Sequence, residues 1–523
     1  MKSYLCLSPP FSSFCRRGYQ CTGRPAIITA LLASSLGMMT VSQADLPPDP
    51  VLTDSAITNA VEHRFLTDAV LLNNQVDAKT REGIVTLSGM AEHLIAKDRA
   101  VKLAETIRGV RGVVNTISLT KSGRSDIDVR MDVAAALIYD AATDELRLKP
   151  EVKDGVVTLE GTVQSHGWKQ LAVRVVKGVK GVQQVQDNIL VETTIPRTDA
   201  DIREEITRMI DTDVWLDGAY ISTEVKEGVV NLIGQVGTPA QQDRAGNLAW
   251  TIGVKFVRTE NLKIDPWMKR KDQSKETVAV RTDAWIQAAV RDSLAADPRV
   301  YSFGIGVEVE SSRVTLTGVV DNIKAGMAAA QDASNTRGAG RVRNLLKVRV
   351  QTIADDKLVQ DVNAALLRES VLDGDVIDVK ARNGVVTLSG HVDSFYQKAQ
   401  ADDVASRANG TRRVENHLSV NNTNVPYYFN PFWEHTPFSP HWNAYRHGTP
   451  NRWIKTSDME ISQDIEEQLF WSPIVKSLQV KVSVENGVAT LTGTVDSASE
   501  FRAAAENAYD GGARHVVNTL KVK

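Results

Sequence analysis

The stretch Asn383-Gly384-Val385-Val386-Thr387-Leu388-Ser389-Gly390 constrains this chain more than any other, because versions of it occur six times. The others are Glu82 to Gly89, Asp154 to Gly161, Glu227 to Gly234, Ser311 to Gly318 and Asn486 to Gly493. In each, an acidic residue, Asn or Ser precedes Gly or Ser, and an alternating apolar run then ends on a second Gly. Asn-Gly and Asp-Gly accept the positive φ angles of a two-residue turn between antiparallel strands, so each copy predicts a β-hairpin. The fourth copy has Ser312 where the others carry the turn glycine. The second glycine falls on the apolar face of its strand. Lacking a side chain there, it is expected to let a helix backbone approach the sheet closely, with a β-bulge as the alternative.

Regular features flank each hairpin. Before it, apolar residues recur at i, i+4 and i+8, as in Ile57, Val61 and Phe65 or Leu358, Val362 and Leu366, the spacing of an amphipathic helix. Three residues ahead of each set stands an aspartate: Asp54, Asp126, Asp199, Asp283, Asp355 or Asp458. Five of the six follow a Ser or Thr, and we expect these side chains to cap the first helical turn, the acid also suiting the helix dipole, which leaves little room for a paired-carboxylate catalytic role. After the hairpin, small residues at i and i+4, such as Ala100 and Ala104 or Ala401 and Ala405, predict a second helix with a flat face. A Gly-containing turn and a closing strand with an Asn follow (Asn115, Asn188, Asn261, Asn344, Asn416, Asn518), each Asn assigned a structural role.

Each unit of about 68 residues therefore reads helix, strand, turn, strand, helix, strand. The fold class is α+β: six tandem α-β-β-α-β domains, each with two helices on a three-stranded sheet and its own small core, arranged as beads on a string. The expected boundaries are 54–121, 125–193, 198–265, 282–351, 354–421 and 457–523. Residues 1–44 read as an export signal: basic residues without acids, an apolar run from Ala26 to Val41, and Ser42-Gln43-Ala44 as a cleavage site. Arg16-Arg17 leaves both the general and the twin-arginine route open. All three cysteines lie in this segment, so the mature chain is expected to have no thiol chemistry and no disulfide. Loss of its four basic residues takes the formal charge from −3 to −7, which disfavours nucleic acid as a partner.

The unit resembles the BON domain, named for bacterial osmotically inducible periplasmic and nodulation proteins. The resemblance rests on the Gly-Val-Val-Thr-Leu-Ser-Gly hairpin, the Ala-x-x-x-Ala helix and the terminal Gly-Val with Val-x-Asn-x-Leu, as at Val516 to Leu520. It implies a periplasmic envelope protein linked to osmotic stress. Some members of such a family bind anionic phospholipid and others are proposed to meet protein clients, and no catalytic residues or cofactors come with it. The expected partners are an anionic phospholipid surface or envelope proteins, the alternative being a stress-induced chaperone or scaffold.

Two segments break the period. Residues 266–281 place Trp267 beside Lys269, Arg270 and Lys271, a pattern attracted to anionic membrane surfaces and equally that of a solvated linker. Residues 422–456 carry Trp433 and Trp442 among many aromatics and prolines, with His435, His441 and His447. Imidazoles can bind Zn or Cu, but no carboxylate or thiol pattern completes a site, so no metal is assigned. Within the repeats, Trp215-Leu216 and Phe470-Trp471 sit in helix-to-strand connectors, either as a satellite core or as docking points for lipid or protein. No nucleophile elbow, phosphate loop or zinc signature occurs.

Overall fold

The computed structural model describes residues 52–522 except 69, 72–73, 141, 193–196, 217, 266–281, 301–303, 321, 350–352, 373, 375, 422–456, 474 and 476–478. The described residues hold twelve helices in six consecutive pairs. They are α1 (Asp54–Thr67) and α2 (Leu94–Thr106), α3 (Asp126–Tyr139) and α4 (His166–Lys177), α5 (Asp199–Thr212) and α6 (Pro239–Leu248). The second half has α7 (Asp283–Ala296) and α8 (Ile323–Asn335), α9 (Asp355–Arg368) and α10 (Phe395–Arg407), α11 (Asp458–Trp471) and α12 (Ala498–Asp510). Odd-numbered helices open each repeat, and even-numbered helices cross from the hairpin to the closing strand.

The fifth repeat shows the common topology. Strand Val376–Arg382 pairs antiparallel with Val385–Val392, which pairs in parallel with Arg413–Asn416 and Ser419–Val420. A parallel connection needs a crossover, and α10 supplies it. The turn residues take positive φ as the Asn-Gly pattern predicts, Asn383 at 52° and Gly384 at 75°. The fourth repeat makes the same turn with Ser311 at 50° and Ser312 at 62°, so a side chain is carried in a region that favours glycine.

Each repeat buries one apolar core. Ile57, Val61 and Phe65 and their five sets of counterparts are buried, and all twelve residues of the small stripe, from Ala100 and Ala104 to Ala504 and Ala508, have no exposed surface. The flat helix face thus lies against the sheet, which leaves the opposite sheet face to solvent. The second glycine does not mediate this approach. Gly89 is exposed, its φ is 111°, and a Cβ there would lie 1.9 Å from the Gln75 carbonyl oxygen of the facing strand. Gly234, Gly390 and Gly493 meet the same obstacle. The glycine is required by a local backbone distortion within the hairpin rather than by the helix above it.

The repeated aspartate also does something other than cap its helix. In five repeats the cap is the preceding hydroxyl, as where Thr53 accepts from the Ala56 amide (3.2 Å) and Ser125 from the Asp128 amide (3.2 Å); the fifth has Ala354 there and no side-chain cap. The Asp54 carboxylate instead reaches the hairpin turn and accepts from the amides of Glu82 (2.7 Å) and Gly83 (2.9 Å). Asp126, Asp199, Asp283, Asp355 and Asp458 repeat the clasp on their own turns. At Asp199 the amides of Gly228 and Glu227 hold the carboxyl below its ordinary value. The closing-strand Asn is likewise structural: Asn416 Nδ2 donates to the Lys398 carbonyl (2.7 Å), and its Oδ1 accepts from the Leu418 amide (3.2 Å).

The six α+β units are tandem in sequence, but they do not hang apart as beads; from Leu52 onward the chain forms one compact unit. Repeats one to three meet through their second helices. Lys102 of α2 pairs with Asp243 of α6 (2.5 Å), Lys177 of α4 with Asp98 of α2 (2.6 Å), and His166 of α4 stacks on Trp250 beyond α6 (4.2 Å). Helix α8 does the same for the second half, through Lys324 to Asp403 of α10 and the Ser334 carbonyl to Ser499 of α12 (3.1 Å). The halves are joined in nested pairs. The ends of α9 and α4 are bridged by the Ser370 amide donating to the Gly178 carbonyl (2.9 Å) and the Lys180 amide to the Arg368 carbonyl (2.9 Å). Arg337 donates its amide to the Thr212 carbonyl (2.7 Å) to join repeats three and four, and Arg108 stacks on Phe470 (4.6 Å) to join one and six.

Candidate functional site

Among the described residues, an unusual surface lies where repeats two and five meet. Helix α3 buries Val129, Val133 and Leu137, yet its outer face also carries aliphatics: Ile127, Met131 and Ile138 are 63%, 57% and 68% exposed. These residues fall at i, i+4 and i+11, one stripe of a helix. Helix α9 packs alongside and adds Leu367, 79% exposed. Such a stripe on the outside of a folded helix marks a contact surface more than a stability device.

Beside the stripe, α3 and α9 enclose an open cleft of about 430 Å³ lined by Arg124, Asp132, Lys180, Ala364, Leu367 and Arg368. Three cations face one carboxylate. Arg124 spends part of its charge on Asp132 (2.6 Å) and donates to the Lys180 carbonyl (3.2 Å). Arg368 lies over the Tyr139 ring (5.7 Å), and its Nε is buried without a hydrogen-bond partner among the described residues. Tyr139 in turn donates to the Val404 carbonyl (3.0 Å), fixing the platform under Arg368. The arrangement offers fixed positive charge at the edge of an aliphatic stripe. It holds no nucleophile next to a base.

The cleft walls are rigid because the ends of the two repeats are locked. Glu369 is buried at this junction, and burial pushes its pKa up to about 7, against the lowering by Arg407 and a Gln400 hydrogen bond. Arg407 of α10 pairs with Asp403 (2.9 Å from Nε) and reaches Asp140 of the second repeat (4.0 Å). Burial alone would raise Asp403, but the Arg407 guanidinium and the Lys324 ammonium hold it below the usual carboxylate range.

Models of the BON domain match residues 53–121, 125–193, 198–266, 282–350, 354–422 and 457–523. The chain belongs to the BON domain family. Osmotically-inducible protein Y of Escherichia coli (strain K12) is 30% identical over 145 residues, spanning 26% of this chain and 72% of that protein. Two solved structures of CdsD, a structural protein of the type III secretion system of Chlamydia trachomatis, align at 15% and 12% identity. They cover 43% and 39% of this chain, and 100% and 90% of their own, at TM-scores of 0.12 and 0.11, too low to carry an argument.

The aromatic pairs expected in connectors of the BON repeats turn inward, although Phe470 and Trp471 end α11 rather than standing in a connector. Trp215 is 1% exposed and joins the core of the sixth repeat, while Leu216, 3% exposed, stays in that of the third. Trp471 packs partly buried against the core of the first repeat, with Phe470 edge-on to it (5.0 Å). These docking points are therefore occupied within the chain. Trp267, Lys269, Arg270, Lys271, Trp433, Trp442, His435, His441 and His447 lie outside the described residues. Among the described residues no group of ligating side chains could hold a metal, and no helix is long and apolar enough to cross a membrane.

The α3 stripe escaped the sequence reading because that reading followed only the inward face. A signal was present. Where α3 has Ile127, Met131 and Ile138, the matching positions of α5 are Ala200, Glu204 and Asp211.

Proposed function

We propose that this chain is an exported, non-enzymatic protein of the osmotic-stress response that docks reversibly on anionic phospholipid surfaces through the cleft between its second and fifth BON repeats. The observation that carries this reading is the pairing of an exposed aliphatic stripe with a basic cleft at its edge. Lipid phosphates suit Arg124, Lys180 and Arg368, while Ile127, Met131, Ile138 and Leu367 enter the boundary between headgroup and acyl chain. Each aliphatic contributes about 1.5–3 kcal/mol if fully buried, and each cation near an anionic surface about 1 kcal/mol. Such a sum suits peripheral attachment and falls far short of a membrane-spanning anchor. The relative's name supports the link to osmotic stress. The non-enzymatic reading is supported by the six repeated aspartates, each engaged by its own hairpin turn.

Flotation with phosphatidylglycerol vesicles tests the proposal. The chain is expected to float with them and to stay behind with phosphatidylcholine alone, and the double variant Met131→Asp, Ile138→Asp to lose flotation at an unchanged melting temperature. Equal behaviour with both lipids removes the lipid reading. Suppression of client aggregation by a chain that ignores vesicles would favour the chaperone reading, for which Tyr220, Val376 and Met459, 67%, 73% and 69% exposed, offer dispersed apolar contacts.

A further inference from the structure

A second cavity lies elsewhere, where repeats one, two, three and four converge. It has a volume of about 530 Å³ and opens to solvent between α2, α4, α6 and the ends of α5 and α7. That volume is within the range of small-molecule sites, about 300–1,000 Å³. It is a product of the assembly: no single repeat contains it.

Its lining is highly charged, and most of that charge is engaged within the protein. Lys177 pairs with Asp98 (2.6 Å), Arg244 with Asp213 (2.6 Å), Arg299 with Asp297 (2.5 Å), and Lys102 with Asp243 (2.5 Å). An anion entering here would have to strip a cation of its carboxylate, and a cation would have to do the reverse. Two further groups are shifted toward their neutral forms. Burial and the neighbouring Asp297 carboxylate push Asp332 well above the carboxylate range, and burial lowers His166 to about 4. What remains for recognition is uncharged: the carboxamides of Asn247 and Gln331, the Asn335 amide nitrogen and the Ser293 hydroxyl line the cavity, with Thr212 and Thr336, which donate to the Met209 and Asp332 carbonyls, left as acceptors. Both donors and acceptors are present. Trp250, stacked on His166, forms an aromatic wall with no net charge.

We propose that this cavity is a binding site for a neutral, polyhydroxylated ligand of about disaccharide size. Hydroxyls can donate and accept at once, which matches amide and hydroxyl side chains, and the C–H face of a sugar ring packs on an aromatic plane. Occupancy would also stabilise the junction of four repeats, since a ligand that binds only the assembled form favours it by mass action.

Such a ligand could be a free solute or the amino-sugar backbone of a cell-wall glycan, so the titration uses two probes, trehalose and N,N′-diacetylchitobiose. Inorganic phosphate and glycine betaine serve as charged comparisons. With the full mature chain in the calorimeter, one of the two sugars is expected to bind saturably at one site per chain, and the charged compounds to give none. Asn247→Trp, which fills the cavity, and Gln331→Leu, which removes a carboxamide, are expected to weaken binding at least tenfold with unchanged circular dichroism melts. Saturation transfer from the unmodified protein to the sugar C–H protons reads the same binding without any substitution. No saturable heat or transfer from either sugar, saturable binding of phosphate or betaine in their place, or wild-type affinity in both folded variants would overturn the proposal.

Discussion

At the scale of single residues, the aspartate that opens each repeat and the turn it grips form one device, repeated six times. Two charge-assisted bonds tie the first helix to a hairpin 28 and 29 residues away. Asp283→Ala should therefore lower the stability of the fourth repeat by about 1–3 kcal/mol, because it leaves two turn amides without their acceptor. Chemical denaturation with hydrogen exchange on Ser311 and Ser312 checks this. The same turn supplies a change in the opposite direction. Ser312 sits at φ 62°, so Ser312→Gly should stabilise by about 1 kcal/mol, read as a higher melting temperature. The sequence made the turn legible through Asn-Gly and Asp-Gly pairs, whose backbone needs are local. It misled on the aspartate and the second glycine, whose partners lie across the hairpin and are invisible to spacing along the chain.

At the scale of elements, helices and strands were legible because each repeat restates its apolar period, and a buried face of period 3.6 or 2 admits one reading. Contacts between elements of different repeats were not. Lys102 in α2 stands where α4 has Arg174 and α6 has Asn247, so a search for what the repeats share discards it. Paired charges between helices also read as ordinary solvated surface. Trp215 illustrates the cost of that blindness: it follows α5 in the third repeat but sits in the core of the sixth. Trp215→Ala should cost about 3–5 kcal/mol and should reduce hydrogen-exchange protection in α12 and its neighbouring strands, far from the substitution in sequence. A loss of protection confined to the third repeat would contradict this placement.

At the scale of the whole molecule, the junction of repeats two and five is tuned by a buried acid. Glu369 titrates near 7 in the folded protein, against about 4.3 for an unfolded glutamate. Between these values the folded state keeps a proton that the unfolded chain has released, so stability falls as pH rises, by up to about 1.4 kcal/mol per pH unit. Glu369→Gln should reduce this slope between pH 5 and about 7 and raise the melting temperature at pH 8. Asp402 beside Asp403 is pushed by burial to about 7 as well, so it keeps part of the slope in the variant. The nesting of partners, one with six, two with five and three with four, also orders the birth of the fold. During synthesis or translocation the innermost couple can close as soon as the fourth repeat emerges, whereas the first must wait, its aromatic seat for Trp471 empty, until the last has arrived. A ribosome that stalls before residue 457 therefore releases a chain whose opening repeat can still meet Val371, Tyr396 and Ala399 of the fifth but lacks the cover of the sixth.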